Sequence, residues 1–143
     1  MARYFSREGI QESIDLINRD ADHLEAAKLL TGKLILRALD APDGKDILVT
    51  YTFEKGRCVD WVYEDGESPS PLRERRFVPL KDGIARVTAS YATFVRLDRG
   101  EMVPADAIGS ADYKIEGSML MILPLMQAVD SWNRKVRSIP KEY

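Results

Sequence analysis

The stretch from Ile47 to Glu64 constrains the fold more than any other part of the chain. Ile47, Val49, Tyr51 and Phe53 fall on one face, and Leu48, Thr50, Thr52 and Glu54 on the other, which is the period of a β-strand. Lys55-Gly56 supplies a tight reversal, and a second strand follows with Val59, Trp61 and Tyr63 on one face and Cys58, Asp60 and Glu64 on the other. Two consecutive strands with large aromatics on one face imply an antiparallel sheet covered by helices on that side. The alternation puts Cys58 on the opposite face, where an inert thiol is expected.

The remaining elements fall around this hairpin. Ser6 is placed to cap a first helix with its stripe at Ile10, Ile14, Ile17, Ala21 and Leu24, broken near Asn18–Asp20 so that Asp20 or Asp22 caps a second helix. Gly32 is expected to end that helix, and Lys33–Leu39 to form strand 1. Strand 4, Ile84–Ala89, turns the small residues Ala85, Val87 and Ala89 inward and leaves space above the sheet. Ser90 caps a helix carrying Phe94 and Leu97, and Gly100 ends it. Pro104 suits the first position of a short helix closed by Gly109. Tyr113–Glu116 is strand 5. Because helices join strands 4 and 5, that pair is expected to be the parallel crossover beside the antiparallel meander. The segment Asp65–Asp82, with Pro69, Pro71 and Pro79, gives no clear element; within it the basic Arg73-Glu-Arg-Arg76 is expected to be an exposed charged loop, with contact to the phosphate of a lipid or coenzyme A as the secondary reading.

The last third carries the functional argument. After Gly117 and a capping Ser118 comes Met119-Leu-Met-Ile-Leu-Pro-Leu-Met126, apolar on every side and rich in adaptable Met and Leu. Such a segment must be buried in the core, cover a ligand or touch a membrane. Read as one helix with Gln127–Val136, it puts Leu123 and Met126 on one face with Met119 a turn earlier. Arg134, Lys135 and Arg137 complement the helix dipole at its end, and a weak attraction to anionic lipid is the secondary reading.

Composition removes several function classes. A net charge of −2 provides no field for nucleic acid. One cysteine excludes an internal disulfide and fits a reducing, cytoplasmic setting. No signal-like run or bilayer-length span is present. There is no metal-ligand spacing, phosphate-binding glycine loop or nucleophile elbow, so neither cofactor nor metal is expected. His23, the only histidine, is read as a solvated helix residue, since no nucleophile motif accompanies it.

The runs Ala85-Arg-Val-Thr-Ala-Ser-Tyr-Ala-Thr-Phe94, Arg99-Gly-Glu-Met-Val-Pro-Ala-Asp-Ala-Ile-Gly109 and Tyr113-Lys-Ile-Glu-Gly117 resemble the sterol carrier protein 2 domain. The resemblance extends, as pattern, over most of the chain, including the ending Ser138-Ile-Pro-Lys-Glu-Tyr143, which lacks the peroxisomal tripeptide of eukaryotic members. It implies one α+β domain over residues 1–143. A mixed five-stranded sheet would combine an antiparallel meander with a parallel crossover, its helices packed on one face over an apolar tunnel. It also implies a non-catalytic carrier of fatty acid, fatty acyl-CoA, sterol or phospholipid, with transient membrane contact. Lipid-contacting residues are expected at Tyr51, Phe53, Trp61, Phe94, Ile108, Met119, Leu123 and Met126. The alternatives are an accessory module docking on a partner enzyme and, less favoured, an acyl-CoA thioesterase of hot-dog type.

Overall fold

The computed structural model describes all 143 residues. Strands β1 (Gly32–Leu39), β2 (Lys45–Glu54), β3 (Arg57–Glu67), β4 (Ala85–Ser90) and β5 (Lys114–Gly117) form one mixed sheet in the order β3-β2-β1-β4-β5. Helices α1 (Arg7–Arg19), α2 (Ala21–Ala26), α3 (Tyr91–Asp98), α4 (Pro104–Ile108), α5 (Met119–Ile122) and α6 (Met126–Val136) complete it. Ser6, Asp20 and Ser90 accept backbone N–H bonds as the caps of α1, α2 and α3. The six-residue α2 stops at Ala26, short of Gly32, because Ala27 and Leu30 are drawn into the core and the Gly56 N–H donates to the Leu30 carbonyl at 2.8 Å.

One pair of strands is parallel, but it is β1 with β4; β5 runs antiparallel to β4. Two helices in succession, α3 and α4, carry the chain out and back, so β5 starts beside the point where β4 ends. Asp112, just before β5, accepts from the Ser90 N–H at 3.1 Å and from the Thr93 hydroxyl at 2.6 Å. The crossover that a parallel pair requires is the proline-rich segment after β3. It crosses the sheet face turned away from the helices, where Leu72 packs with Ile35 and Leu48. Arg37 donates to the carbonyls of Leu72 and Arg73 at 2.9 and 3.1 Å, and Arg86 to that of Arg75 at 2.7 Å. The segment without a clear element in the sequence is therefore strapped down through its backbone by the back-facing residues of β1 and β4, while Glu74, Arg75 and Arg76 keep their side chains exposed.

The hairpin contains a bulge. Thr52 pairs with Asp60, yet Phe53 pairs with Cys58, which leaves Val59 as an extra residue. Paired residues share a face, so Cys58 joins Phe53 in the core while Val59 is 49% exposed. Simple alternation assigned these two residues to the wrong faces. Asn18, at the end of α1, clasps the bulge: its side-chain amide donates to the Cys58 carbonyl and accepts from the Cys58 N–H, each at 2.9 Å.

On the helix side, Ile10, Ile14 and Ile17 of α1 pack with Val49, Tyr51 and Phe53, the small residues of β4, Phe94 and Leu97 of α3, and Ala128 and Val136 of α6. Burying apolar area of this extent is the main favourable term for the fold. The expected single C-terminal helix is divided. Ser118 makes no capping bond, and Leu123–Leu125 forms a 3₁₀ turn around Pro124. A 3₁₀ turn advances by three residues rather than 3.6, so α6 is rotated out of phase with α5. The buried line runs through Ile122, Leu125, Ala128 and Val136, and leaves Leu123 59% exposed.

Candidate functional site

The small inward residues of β4 leave the sheet and helices unable to meet everywhere. Between them lies a cavity of about 170 Å³ open to the centres of water-sized molecules. A single water needs only ~10–15 Å³ by that measure, so there is room for a ligand of many atoms. Of the 34 lining residues, 25 are hydrophobic. The floor comes from β1, β2 and β4, with Leu34, Leu36 and Val87. The walls come from α1, α4 and α6, with Ile10, Pro104 and Val129.

Tyr51, Phe53, Phe94, Ile108 and Met126, all expected from the sequence as ligand contacts, are brought together on this lining. Trp61, Met119 and Leu123 are not part of it. Trp61 lies half-buried under α1, donating its indole N–H to Gln11 at 3.1 Å. Met119 is 46% exposed, and Leu120 and Leu123 are more exposed still, so α5 and the 3₁₀ turn after it direct much of their apolar surface outward. Trp132, unremarked in the sequence, lines the cavity instead and meets Tyr51 and Phe53 edge-on at centroid distances of 5.4 and 6.2 Å.

His23 is the main departure. It is 1% exposed rather than solvated, and it lines the cavity. Its Nδ1 lies 2.8 Å from the Ser131 hydroxyl on α6, and its Nε2 is buried without a partner. Burial depresses its basicity, with Lys135 and Arg134 acting in the same direction and Asp20 opposing them. The imidazole is thus held neutral at physiological pH. A signal was available in the sequence: Ser131 falls on the buried stripe with Ala128, where a hydroxyl needs a partner. Its partner lies 108 residues away, beyond any local pattern.

The Ser131–His23 contact contains the first element of a nucleophile–base pair but not the others. Nothing orients the imidazole at Nε2, and Ser131 lies in the middle of α6, where the helix amides are committed to helix bonds. No group of three His, Cys, Asp or Glu side chains is arranged to hold a metal. No helix is long and apolar enough to cross a membrane.

The whole architecture aligns with a crystal structure of sterol carrier protein 2 at a TM-score of 0.77, covering 96% of this chain and 100% of that one, with 18% sequence identity. The chain has the sterol carrier protein 2 fold. A solution structure of a conserved hypothetical protein from Thermus thermophilus aligns at a TM-score of 0.75 and 18% identity, over 99% of this chain and 92% of that one. Sterol carrier protein 2 from Yarrowia lipolytica, in its apo form, aligns at 0.53 and 16% identity over 91% of each chain. No family model and no curated protein matches the sequence. In this sterol carrier protein 2 fold the cavity lies on the helix-covered face, and the proline-rich strap lies on the other.

Proposed function

We propose that the chain binds a lipid-like ligand in this cavity by reversible apolar burial, without chemistry on the ligand. The observation that carries the reading is the cavity itself, lying between sheet and helices and lined mainly by hydrophobic side chains. The ligand classes are a fatty acid, a fatty acyl-CoA, a sterol or a phospholipid. A long chain at about 0.8 kcal/mol per buried CH₂ has ample driving force even after ordering costs. The residues proposed to touch it are those on the lining, Tyr51, Phe53, Phe94, Ile108 and Met126 foremost. Exposed Leu120 on α5 and Leu123 on the 3₁₀ turn after it suit a transient contact with a membrane from which the ligand is taken.

The test is thermal unfolding of delipidated protein with and without each ligand class, alongside Trp132 fluorescence recorded in Trp61→Phe, which removes the other tryptophan. A ligand at about 100 times its Kd should stabilise the fold by ~2.7 kcal/mol, a melting shift of roughly 5–10 °C for a chain of this size. If fatty acids, acyl-CoA, sterols and phospholipids all leave melting and fluorescence unchanged, the carrier reading fails and a docking module takes its place.

A further inference from the structure

Almost all buried polar side-chain atoms of the chain are partnered; two are not, Nη2 of Arg3 and Nε2 of His23, and both residues line the cavity. Arg3 precedes α1 and His23 follows it, so the 13 residues of α1, about 20 Å of helix, separate them. The Arg3 guanidinium already faces the Asp43 carboxylate at 3.3 Å and the Tyr91 ring at 5.9 Å. The His23 ring meets the Trp132 ring edge-on, at 6.4 Å between centroids, but its Nε2 has neither a hydrogen-bond nor an ion-pair partner.

Hydrogen-bond accounting fixes which proton His23 carries. The buried Ser131 hydroxyl has no other partner. If Nδ1 held the proton and donated to Ser131, the serine O–H and the Nε2 lone pair would both be stranded. If instead Ser131 donates to Nδ1, the ring proton sits on Nε2 and only that one N–H lacks a partner. The second arrangement costs one buried unpaired group rather than two. The charged neighbours do not alter this: Lys135 is paired with Asp20 at 3.2 Å and Asp22 at 3.7 Å, and Arg134 is exposed.

We infer that the His23 Nε2–H is the polar anchor of the cavity, donating to an uncharged acceptor oxygen, a hydroxyl or carbonyl, on an otherwise apolar ligand. The inference rests on the lipid-binding reading and gives it a ligand chemistry. A mainly apolar lining penalises a carboxylate unless a cation meets it; the neutral imidazole is not one, and the lining's cations Arg3 and Lys141 already face Asp43 and Asp98. A neutral oxygen satisfies the orphan donor without that penalty.

The experiment uses the full chain, ¹⁵N-labelled and delipidated, with three ligands of equal length: dodecane, 1-dodecanol and dodecanoate. His23 is the only histidine, so the imidazole ¹⁵N spectrum reports one ring. The free protein should show the Nε2–H tautomer, and 1-dodecanol should move the Nε2 signal while dodecane does not. In His23→Phe, affinity for 1-dodecanol relative to dodecane should fall about tenfold against wild type, the worth of one buried hydrogen bond. If wild type binds none of the three, the anchor is overturned, and the lipid-binding reading falls with it when the melting test is also negative. If dodecane and 1-dodecanol both bind but the latter leaves the ring signal unmoved, the anchor alone is overturned. A ring signal answering only to dodecanoate overturns the choice of an uncharged oxygen. Should His23→Phe fail to fold, the wild-type spectra still decide.

Discussion

Replacing Asp46 by Ala should be among the most damaging single changes available on the sheet face away from the cavity. The Asp46 side chain is fully buried, and its carboxylate accepts five hydrogen bonds. They come from the Asp40 N–H at 3.1 Å, the Ser70 N–H at 2.9 Å, the Ser70 hydroxyl at 2.8 Å, and Arg73 Nε and Nη2 at 2.8 and 2.9 Å. Removing it strands a buried backbone N–H and one face of an arginine together. Arg73 is partly exposed and keeps its bond to Asp40 at 2.6 Å, so the cost is that of the stranded Ser70 N–H and the lost bonds to a buried charge, ~2–4 kcal/mol, or roughly 6–12 °C in melting temperature at this chain length. Burial pushes the Asp46 carboxyl up, but the bonds from Arg73, Ser70 and Asp40 outweigh it and hold the group well below the usual carboxylate range. Its folded pKa is therefore below its unfolded one. The associated stability is present above the unfolded value, near 3.8, and is lost as pH falls through the lower folded value. Calorimetry of wild type, Asp46→Ala and Asp46→Asn between neutral pH and pH 2 checks both points. Asp46→Asn should approach wild type as the solution is acidified. A melting shift below ~4 °C for Asp46→Ala at pH 7, about one kcal/mol, would refute the idea that this carboxylate ties the crossover strap to the sheet.

Two further outcomes follow from buried groups elsewhere. Lys141 donates to both oxygens of Asp98, at 3.0 and 2.8 Å, and both side chains are almost fully buried; Lys141→Met should cost ~3–5 kcal/mol in urea unfolding by leaving a buried carboxylate short of its cation, and a loss under ~1 kcal/mol would contradict a structural role for the C-terminal tail. The Cys58 thiol is buried beside Phe53 and its pKa is pushed up to about 11 by that burial. Because only the thiolate reacts, a thiol reagent at pH 8 should label the native chain at least ~100 times more slowly than the urea-unfolded chain; equal rates would place Cys58 outside the core.

Much of the frame is legible because local chemistry alone decides it. The caps at Ser6, Asp20 and Ser90 depend on a short side chain next to orphan N–H groups. The β2–β3 hairpin depends on alternation and on Gly56, whose φ of +87° and approach to Ala27 exclude a side chain. The space above β4 follows from Ala85 and Val87, and the cavity forms there. The features that escape are set by partners distant in sequence. The extra residue at Val59 has no signature of its own and exists because Asn18 holds Cys58 by both backbone groups. The direction of β5 depends on how α3 and α4 fold back, which no single residue specifies. The proline-rich strap looks like a free loop until Arg37 and Arg86 are seen donating to its carbonyls from the sheet.

The C-terminal segment shows why a conspicuous hydrophobic run is a poor guide to which side chains reach the cavity. Met119–Met126 is apolar all round, so its composition cannot say which side faces in, and the 3₁₀ turn at Pro124 changes the helical phase partway along. Met126 consequently reaches the cavity while Leu123, three residues earlier, points outward. The less apolar continuation is more informative. Along α6 the positions Ala128, Ser131, Trp132 and Val136 keep one unbroken phase, and the polar member of that stripe is the residue that pairs with His23. A buried polar residue must be answered by a specific partner, whereas a buried leucine is answered by almost any apolar neighbour. The polar interruptions of an apolar stripe therefore carry more information about where the cavity lies than the stripe does.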